Sequence, residues 1–264
     1  MITVLTTVRN GMPFLAEAID SIRAQEYKNF RHCIVDDGSS DGTADFLSQA
    51  ANVDLTVIYT QPIGRGRALN LGVARSQSEF IAILDADDTA APGWLAAMVG
   101  IMQSQPEVAV LSCSGMLSKE AMDSDKACKA NAYQLSASMF LYRNPVHHSG
   151  TLIRKQALLE VGGYDETRDC LFDYELWVRL MKQGKQIWRV DNGYIFKRIH
   201  AGQHFERSNR LHYLLSSYRI RRNVCADLLG GKKAMIPALL FLYGLLPRWI
   251  RHWVYSRRNL GGSF

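Results

Sequence analysis

Clustered carboxylates follow an apolar run in this chain, and residues of this type suit the binding of a cation. Asp85, Asp87 and Asp88 come directly after the apolar residues 80–84. Neighbouring carboxylates repel one another, so a cation or solvent must keep them ionised together. Mg²⁺ and Mn²⁺ prefer such hard oxygen ligands and usually bind substrate phosphate as well. The cluster therefore predicts a divalent-metal site, although a solvated turn or helix cap would use acidic residues in the same way.

A second acidic pair, Asp36 and Asp37, ends the predicted strand at residues 32–35 and is followed by Gly38. A carboxylate at this point would accept a hydrogen bond from a nucleobase or a ribose. An Asx turn that caps the next helix would need the same residues. Both interpretations place the pair at the end of a strand.

The spacing of apolar residues predicts the elements that must position these clusters. Over residues 1 to about 113, predicted strands at 2–8, 32–35, 55–59, 80–84 and 108–111 alternate with helices that begin near 13, 42, 65 and 92. This alternation favours an α/β fold with a mostly parallel sheet and helices on both faces. Ligands bind beyond the carboxyl ends of the strands in such sheets, and both acidic clusters fall there.

The second half of the chain has a more mixed pattern and a strongly basic end. Helices are predicted near 154–161 and 173–183, and residues 206–230 have a helical and basic pattern. Residues 201–264 hold 11 basic and 2 acidic residues, a net charge of +9, whereas the first 200 residues have a net charge of −3.

The apolar stripe Leu246, Trp249, Ile250, Trp253 and Val254 carries arginines beside it. This pattern is typical of an in-plane helix on an anionic membrane surface. A C-terminal helix that packs on the catalytic domain, with its arginines in solvent, is the alternative. We expect no nucleic-acid partner.

The five cysteines form no C-x-x-C pair, so neither a disulfide framework nor a zinc ribbon is indicated. Met1 leads straight into a predicted strand, so we expect no signal peptide. A cytoplasmic enzyme at the inner face of the membrane is the resulting expectation.

The motifs together resemble those of family 2 glycosyltransferases. In chain order the matching segments are VLTTVRN (4–10), VDDGSSDGT (35–43), GRGRALNLG (64–72), LDADD (84–88), VGGYD (161–165), DYELW (173–177) and RIH (198–200). The resemblance covers about residues 1–205 and depends on the ordered set, since each motif alone is weak. It implies a GT-A type domain over 1–205, with a nucleotide-sugar-binding half (1–113) and an acceptor-side half (114–205). Residues 206–264 are then a helical basic extension.

The resemblance implies an inverting, metal-dependent transfer of a sugar from a nucleotide-diphosphate sugar to a glycan or lipid-linked acceptor in cell-surface polysaccharide biosynthesis. A UDP-sugar is the favoured donor, and Mg²⁺ or Mn²⁺ the cofactor. Family roles carried onto matching positions give three sets: donor contacts from Thr7, Arg9, Asp37, Arg67 and Asp85; metal contacts from Asp87 and His200; and a general base, Asp173.

Several alternatives remain open from the sequence. Phe172 stands where many relatives have an acidic residue; if Asp173 only caps its helix, Asp169 or Glu175 would be the base. The pair His147–His148 would line the acceptor side or satisfy loop backbone groups. A sugar nucleotidyltransferase is a second function class, but residues 9–13 lack its glycine-rich, arginine-containing loop. A non-catalytic nucleotide-sugar or membrane-binding protein is a third.

Overall fold

A computed structural model describes residues 1–51, 53–116, 131–198, 209–247 and 249–251. Its strands are β1 (Ile2–Val8), β2 (Phe30–Asp37), β3 (Leu55–Thr60), β4 (Phe80–Ile83), β5 (Thr89–Ala90), β6 (Val108–Met116), β7 (Ala132–Gln134), β8 (Leu152–Arg154) and β9 (Gln186–Phe196). Its helices are α1 (Leu15–Arg23), α2 (Thr43–Ala50), α3 (Arg65–Arg75), α4 (Trp94–Ser104), α5 (Ala137–Tyr142), α6 (Lys155–Glu160), α7 (Phe172–Lys182), α8 (Arg210–Asn223) and α9 (Ile236–Leu245). A π-helical turn, Val224–Leu228, follows α8.

The strands form one sheet in the order β3–β2–β1–β4–β8–β6–β9–β5, and β7 pairs with β9. Strands β3, β2, β1 and β4 are parallel to one another, as the alternating pattern predicted. Strand β8 is antiparallel to both β4 and β6, β9 is parallel to β6, and β5 and β7 are antiparallel to β9. The predicted α/β class is confirmed.

The core lies on both faces of the parallel strands because successive side chains point to opposite faces. On β1, Leu5 packs in one apolar cluster and Val4 in the other. On β4, Ile81 and Ile83 join the first cluster, and Phe80 joins the second. These side chains are at most 3% exposed, and full burial of one large apolar side chain contributes about 1.5–3 kcal/mol.

Helix α3 lies directly against β1, and Gly72 permits this approach. A Cβ atom at Gly72 would lie 2.2 Å from Leu5 Cδ1, so any larger residue would push the helix away from the sheet. The contact fixes the direction of α3, whose first residue is Arg65. Because β1, β2 and β4 are parallel, their carboxyl ends lie at the same edge of the sheet, and α3 begins at that edge.

The sequence missed several elements in the second half. Strand β9 spans 11 residues, but its pairing with β6 has register shifts at Cys113/Ser114 and Ser114/Gly115 that interrupt the regular alternation. Strands β7 and β8 have three residues each, and β5 in the first half has two, too few to show a period. Predicted helices at 154–161 and 173–183 correspond to α6 and α7.

One section of the basic extension packs into the core of the domain, and another leaves apolar side chains exposed. Ile220, Val224 and Cys225 are buried in the same cluster as Trp177 of α7. Helix α9 differs, because Leu239 and Leu242 are both 57% exposed. Within the described ranges, no helix has both the length and the apolarity that a bilayer span requires. Trp253 and Val254 of the predicted stripe lie outside the described residues.

Candidate active site

A cleft of about 480 Å³ opens at the carboxyl end of the parallel strands. One side is formed by Asp85, Asp87 and Asp88, which follow β4, and the other by Asp173 at the start of α7. Arg65 at the start of α3 also lines it. The structure thus brings together three residues that the sequence assigned to ribose, metal and acceptor: Asp85, Asp87 and Asp173.

The three aspartates after β4 form a compact set of oxygen ligands. One carboxylate oxygen from each lies within 4.8 Å of the others. Asp88 is only 2% exposed and accepts a hydrogen bond from the Arg198 backbone N–H at 3.3 Å. Burial, followed by the charge of Asp85 and a smaller contribution from Asp87, raises the pKa of Asp88 to about 7. Three carboxylates this close together, one of them buried, form the kind of oxygen-ligand set that a cation site uses.

Arg65 carries positive charge into this cluster. Its Nη2 atom lies 2.5 Å from Asp85 Oδ1, and its guanidinium carbon lies 5.2 Å from the Phe172 ring centroid. Burial alone would raise the pKa of Asp85, but Arg65, with smaller contributions from His148 and Lys197, outweighs it and holds that pKa well below its usual range. Burial also opposes the charge of Arg65, yet Asp85, Asp173 and Asp87 together raise the arginine pKa.

Arg67, which the family match favoured, lies outside the cleft lining. Its Nε atom is 3.4 Å from Glu166 Oε2, and its side chain is 57% exposed. Residues two apart on a helix project in different directions, so only one of Arg65 and Arg67 can face the aspartates. The sequence missed Arg65, although its place as the first residue of the predicted helix at the sheet edge was a usable signal.

Asp173 lies in the first turn of α7 but is not its N-cap, which is Leu171. Its Oδ2 atom accepts a hydrogen bond from Asn144 Nδ2 at 2.8 Å. Of the two alternatives, Glu175 is bound to Arg179 at 2.7 Å and does not line the cleft. Asp169 does line it, with its Oδ1 atom 2.8 Å from His212 Nε2.

The residues assigned to the nucleoside base lie at the ends of β1 and β2, beside the cleft rather than in its lining. Asp37 Oδ1 accepts the Ile63 N–H at 2.6 Å, and Oδ2 accepts the Gly64 N–H at 3.0 Å. Asp37 thereby holds the loop that leads into α3. Thr7 is half-buried on β1, and Arg9 is exposed just past its end.

The remaining predicted positions have different outcomes. His200 lies outside the described residues. Both histidines of the 147–148 pair line the cleft. His147 is half-buried, and its pKa is lowered by burial and then by Lys197 and Arg189. His148 is buried, and its Nε2 atom lies 2.9 Å from the Tyr164 hydroxyl.

Two matched segments, 64–72 and 161–165, are explained by local contacts. Asn70 of α3 donates to the Tyr164 carbonyl at 2.9 Å and accepts the Tyr164 N–H at 2.8 Å. A Cβ atom on Gly163 would lie 2.5 Å from Asn70 Oδ1, and its φ of +73° also favours glycine. Arg179 donates to the Gly163 carbonyl at 2.8 Å. These contacts hold the Gly-Gly-Tyr turn, and with it Tyr164, beneath the cleft.

Comparison with known proteins places this geometry in a family. The model of Glycosyl transferase family 2 matches residues 3–150, and that of Glycosyl transferase family group 2 matches residues 80–252. The uncharacterised glycosyltransferase RP339 of Rickettsia prowazekii is 26% identical over 77% of this chain and 65% of its own length. The amylovoran biosynthesis glycosyltransferase AmsE of Erwinia amylovora is 24% identical over 79% of each protein. The chain spans less than two thirds of the length of the first curated relatives it matches.

Solved structures show the same fold. Staphylococcus aureus TarS 1–349 in complex with UDP-GlcNAc superposes with a TM-score of 0.69 over 98% of this chain and 74% of TarS 1–349, at 17% identity. The mannosyltransferase PcManGT of Pyrobaculum calidifontis, in complex with GDP-Man and Mn²⁺, gives 0.63 over 96% of this chain and 82% of its own, at 20% identity. The fold is therefore of the GT-A type, and because the family model covers more than half of the sequence, the chain belongs to glycosyltransferase family 2.

Proposed function

We propose that this protein is an inverting, metal-dependent glycosyltransferase that transfers a sugar from a nucleotide-diphosphate sugar to a glycan or lipid-linked acceptor. The observation that carries the proposal is the shared cleft of Asp85, Asp87, Asp88, Arg65 and Asp173. TarS and PcManGT, which share the fold, are in complex with UDP-GlcNAc and GDP-Man respectively. A UDP-sugar remains the favoured donor, and AmsE supports a role in cell-surface polysaccharide biosynthesis.

The residues present fit a divalent cation. Their donors are carboxylate oxygens within 4.8 Å of one another, and burial followed by the charge of Asp85 raises the pKa of Asp88. Asp87, with its two neighbours, would hold Mg²⁺ or Mn²⁺. The ion would neutralise the negative charge that develops on the nucleoside diphosphate as it leaves the sugar. His200 as a further ligand stays a prediction.

Arg65 extends that neutralisation to the donor. Its guanidinium already lies among carboxylates, so it is held at the place where a diphosphate would bring further negative charge. Arginine suits phosphate because its planar fork can bind two oxygens at once. A role of Arg67 at the diphosphate stays a prediction. On the nucleoside side, Asp85 would bind the ribose, and Asp37 and Thr7 the base, with Arg9 near it.

Asp173 would remove the proton from the acceptor hydroxyl. Asn144 holds one carboxylate oxygen of Asp173, and the other would accept the proton. A base of this kind contributes about 10²–10⁴-fold in rate. It acts on the face of the sugar opposite the leaving diphosphate, so a single displacement inverts the anomeric centre. No covalent link between enzyme and sugar is needed.

The anionic membrane surface is the proposed partner of the C-terminal segment, which puts the enzyme in the cytoplasm, peripheral on the inner face of the membrane. The net charge of +9 over residues 201–264 and the exposed Leu239 and Leu242 support this. Exposed apolar residues beside basic ones bind anionic interfaces. Flotation with phosphatidylglycerol vesicles, and its absence with phosphatidylcholine vesicles, would test the partner.

Release of nucleoside diphosphate tests the proposed activity. The protein is incubated with UDP- and GDP-sugars, Mn²⁺ and a bacterial lipid extract as the acceptor source, and free UDP or GDP is measured. Release should require Mn²⁺ and disappear in Asp87→Ala. The matched control is Asp20→Ala, since the Asp20 side chain is 72% exposed on α1. Pyrophosphate formed from a nucleoside triphosphate and a sugar phosphate would favour a nucleotidyltransferase. Binding without any turnover would favour a non-catalytic protein.

A further inference from the structure

The His148 ring is fixed in the floor of the cleft by an aromatic cage. Its side chain is 7% exposed. The rings of Tyr164 and Phe172 meet it edge to face at centroid distances of 5.6 and 5.4 Å, and Trp177 lies at 6.2 Å. The Nε2 atom is held by the Tyr164 hydroxyl at 2.9 Å. The ring therefore has one orientation, and its Nδ1 atom has one position.

That Nδ1 atom is buried without a hydrogen-bond partner in the described part of the chain. The Asp85 Oδ1 atom is 3.9 Å away, which is too long for a hydrogen bond, and Asp85 is already engaged with Arg65. An unsatisfied buried polar atom costs free energy, so folded proteins rarely keep one without a reason. A ring held this firmly in the lining of the cleft, with one nitrogen lacking a hydrogen-bond partner, points to a ligand.

The position of His148 indicates which part of a ligand it meets. On one side is Asp85, within the aspartate cluster, and on the other is Phe172, which directly precedes Asp173. In the proposed function, which this inference depends on, the diphosphate lies at the aspartates and the acceptor hydroxyl at Asp173. The transferred sugar must then lie between them, above His148.

We propose that His148 Nδ1 forms a hydrogen bond with a hydroxyl of the transferred sugar and that His148 is a specificity-determining residue for the donor. A hydroxyl group both donates and accepts, so it satisfies Nδ1 in either tautomer of the ring. A site that hydrogen-bonds one hydroxyl discriminates against sugars that lack it, because the buried nitrogen then stays unpaired. His148 thus recognises the sugar of the donor, whereas Asp37 and Asp85 bind its nucleoside.

Two variants of similar size and polarity separate the two ring nitrogens. In His148→Asn the side-chain amide reaches the position of Nδ1, and in His148→Gln it reaches that of Nε2 and leaves the cleft side empty. Affinities are measured by calorimetry with Mn²⁺ for UDP, GDP, UDP-glucose, UDP-galactose, UDP-GlcNAc and GDP-mannose. Affinity for the free nucleoside diphosphate also reports that each variant is folded.

We expect His148→Gln to bind the nucleoside diphosphate as the wild type does, within about twofold, and to lose about tenfold in affinity for the preferred nucleotide sugar. His148→Asn should retain most of that affinity. Equal losses for the diphosphate and the sugar would overturn the inference, since His148 would then only position Asp85. Unchanged affinity in both variants would also overturn it, with Nδ1 bound to water alone. If the wild type binds none of the nucleotide sugars, the proposed function fails first.

Discussion

The Arg65 guanidinium lies 2.5 Å from Asp85 Oδ1 and faces the Phe172 ring, so one cation joins the donor side of the cleft to the element that carries Asp173. The ion pair is fixed by the start of α3, and α3 is fixed by its close contact with β1. The packing of Gly72 against Leu5 therefore determines the position of Arg65 at the sheet edge.

Replacing Arg65 tests this assignment against the sequence-based one. Arg65→Ala should weaken the binding of the preferred nucleotide sugar by about ten- to a hundredfold, because a charged hydrogen bond to the diphosphate is lost. Arg67→Ala, on the exposed side of the same helix, should change it less than about twofold. Calorimetry on both variants measures these affinities. A larger loss of affinity in Arg67→Ala than in Arg65→Ala would identify Arg67 as the diphosphate ligand instead.

Asp173→Asn should lower the rate of nucleoside diphosphate release by about 10²–10⁴-fold, because the amide cannot accept the acceptor proton. Its affinity for the donor should stay close to that of the wild type. Asn144→Ala should lower the rate less, since Asn144 only positions the carboxylate. Asp169→Asn is the control; if it proves the more damaging substitution, Asp169 is the base.

The titration of Asp88 makes the free energy of unfolding depend on pH in a defined direction. Its folded pKa of about 7 is above its ordinary value of 3.8, so the folded state retains a proton that the unfolded state loses. Asp88 therefore lowers the free energy of unfolding as the pH rises from about 4 to about 7, by at most about 1.4 kcal/mol per pH unit.

Asp88→Asn, with EDTA present, should consequently gain stability relative to the wild type across that window and show a constant difference above about pH 7. Urea unfolding at pH 5, 6, 7 and 8 measures it. The asparagine can still accept the Arg198 N–H, so the backbone contact is preserved. A difference that does not grow with pH would show that Asp88 is ionised throughout.

Gly72→Ala should destabilise the protein by about 1–3 kcal/mol, because the new methyl group meets Leu5 and the helix must shift. Gly100→Ala on α4 is a matched control, since nothing lies within 4 Å of its Cβ position. The Gly100→Ala substitution should leave stability unchanged or raise it by up to about 1 kcal/mol. Thermal unfolding of the pair measures both, and Gly72→Ala should also weaken donor binding through Arg65.

The sequence predicted the parallel half of the sheet and the aspartates of the cleft, because strand ends and acidic clusters are local signals. It did not single out Arg65, since the facing of Arg65 and Arg67 depends on where α3 starts and how it packs, and the donor contact of Arg67 stays a prediction. It also missed β9 and β8, whose pairing is long-range and irregular. The environment of His148 had no local signal, because its cage comes from two other segments, the turn at Tyr164 and helix α7.

A crystal structure with Mn²⁺ and the nucleoside diphosphate that most raises the melting temperature tests the central claim most directly. We predict an anomalous Mn²⁺ peak between Asp87 and the diphosphate oxygens, with Arg65 beside the phosphates and Asp173 facing the empty acceptor side. A diphosphate bound away from Asp85, Asp87 and Asp88, or a metal peak elsewhere on the protein, would contradict it.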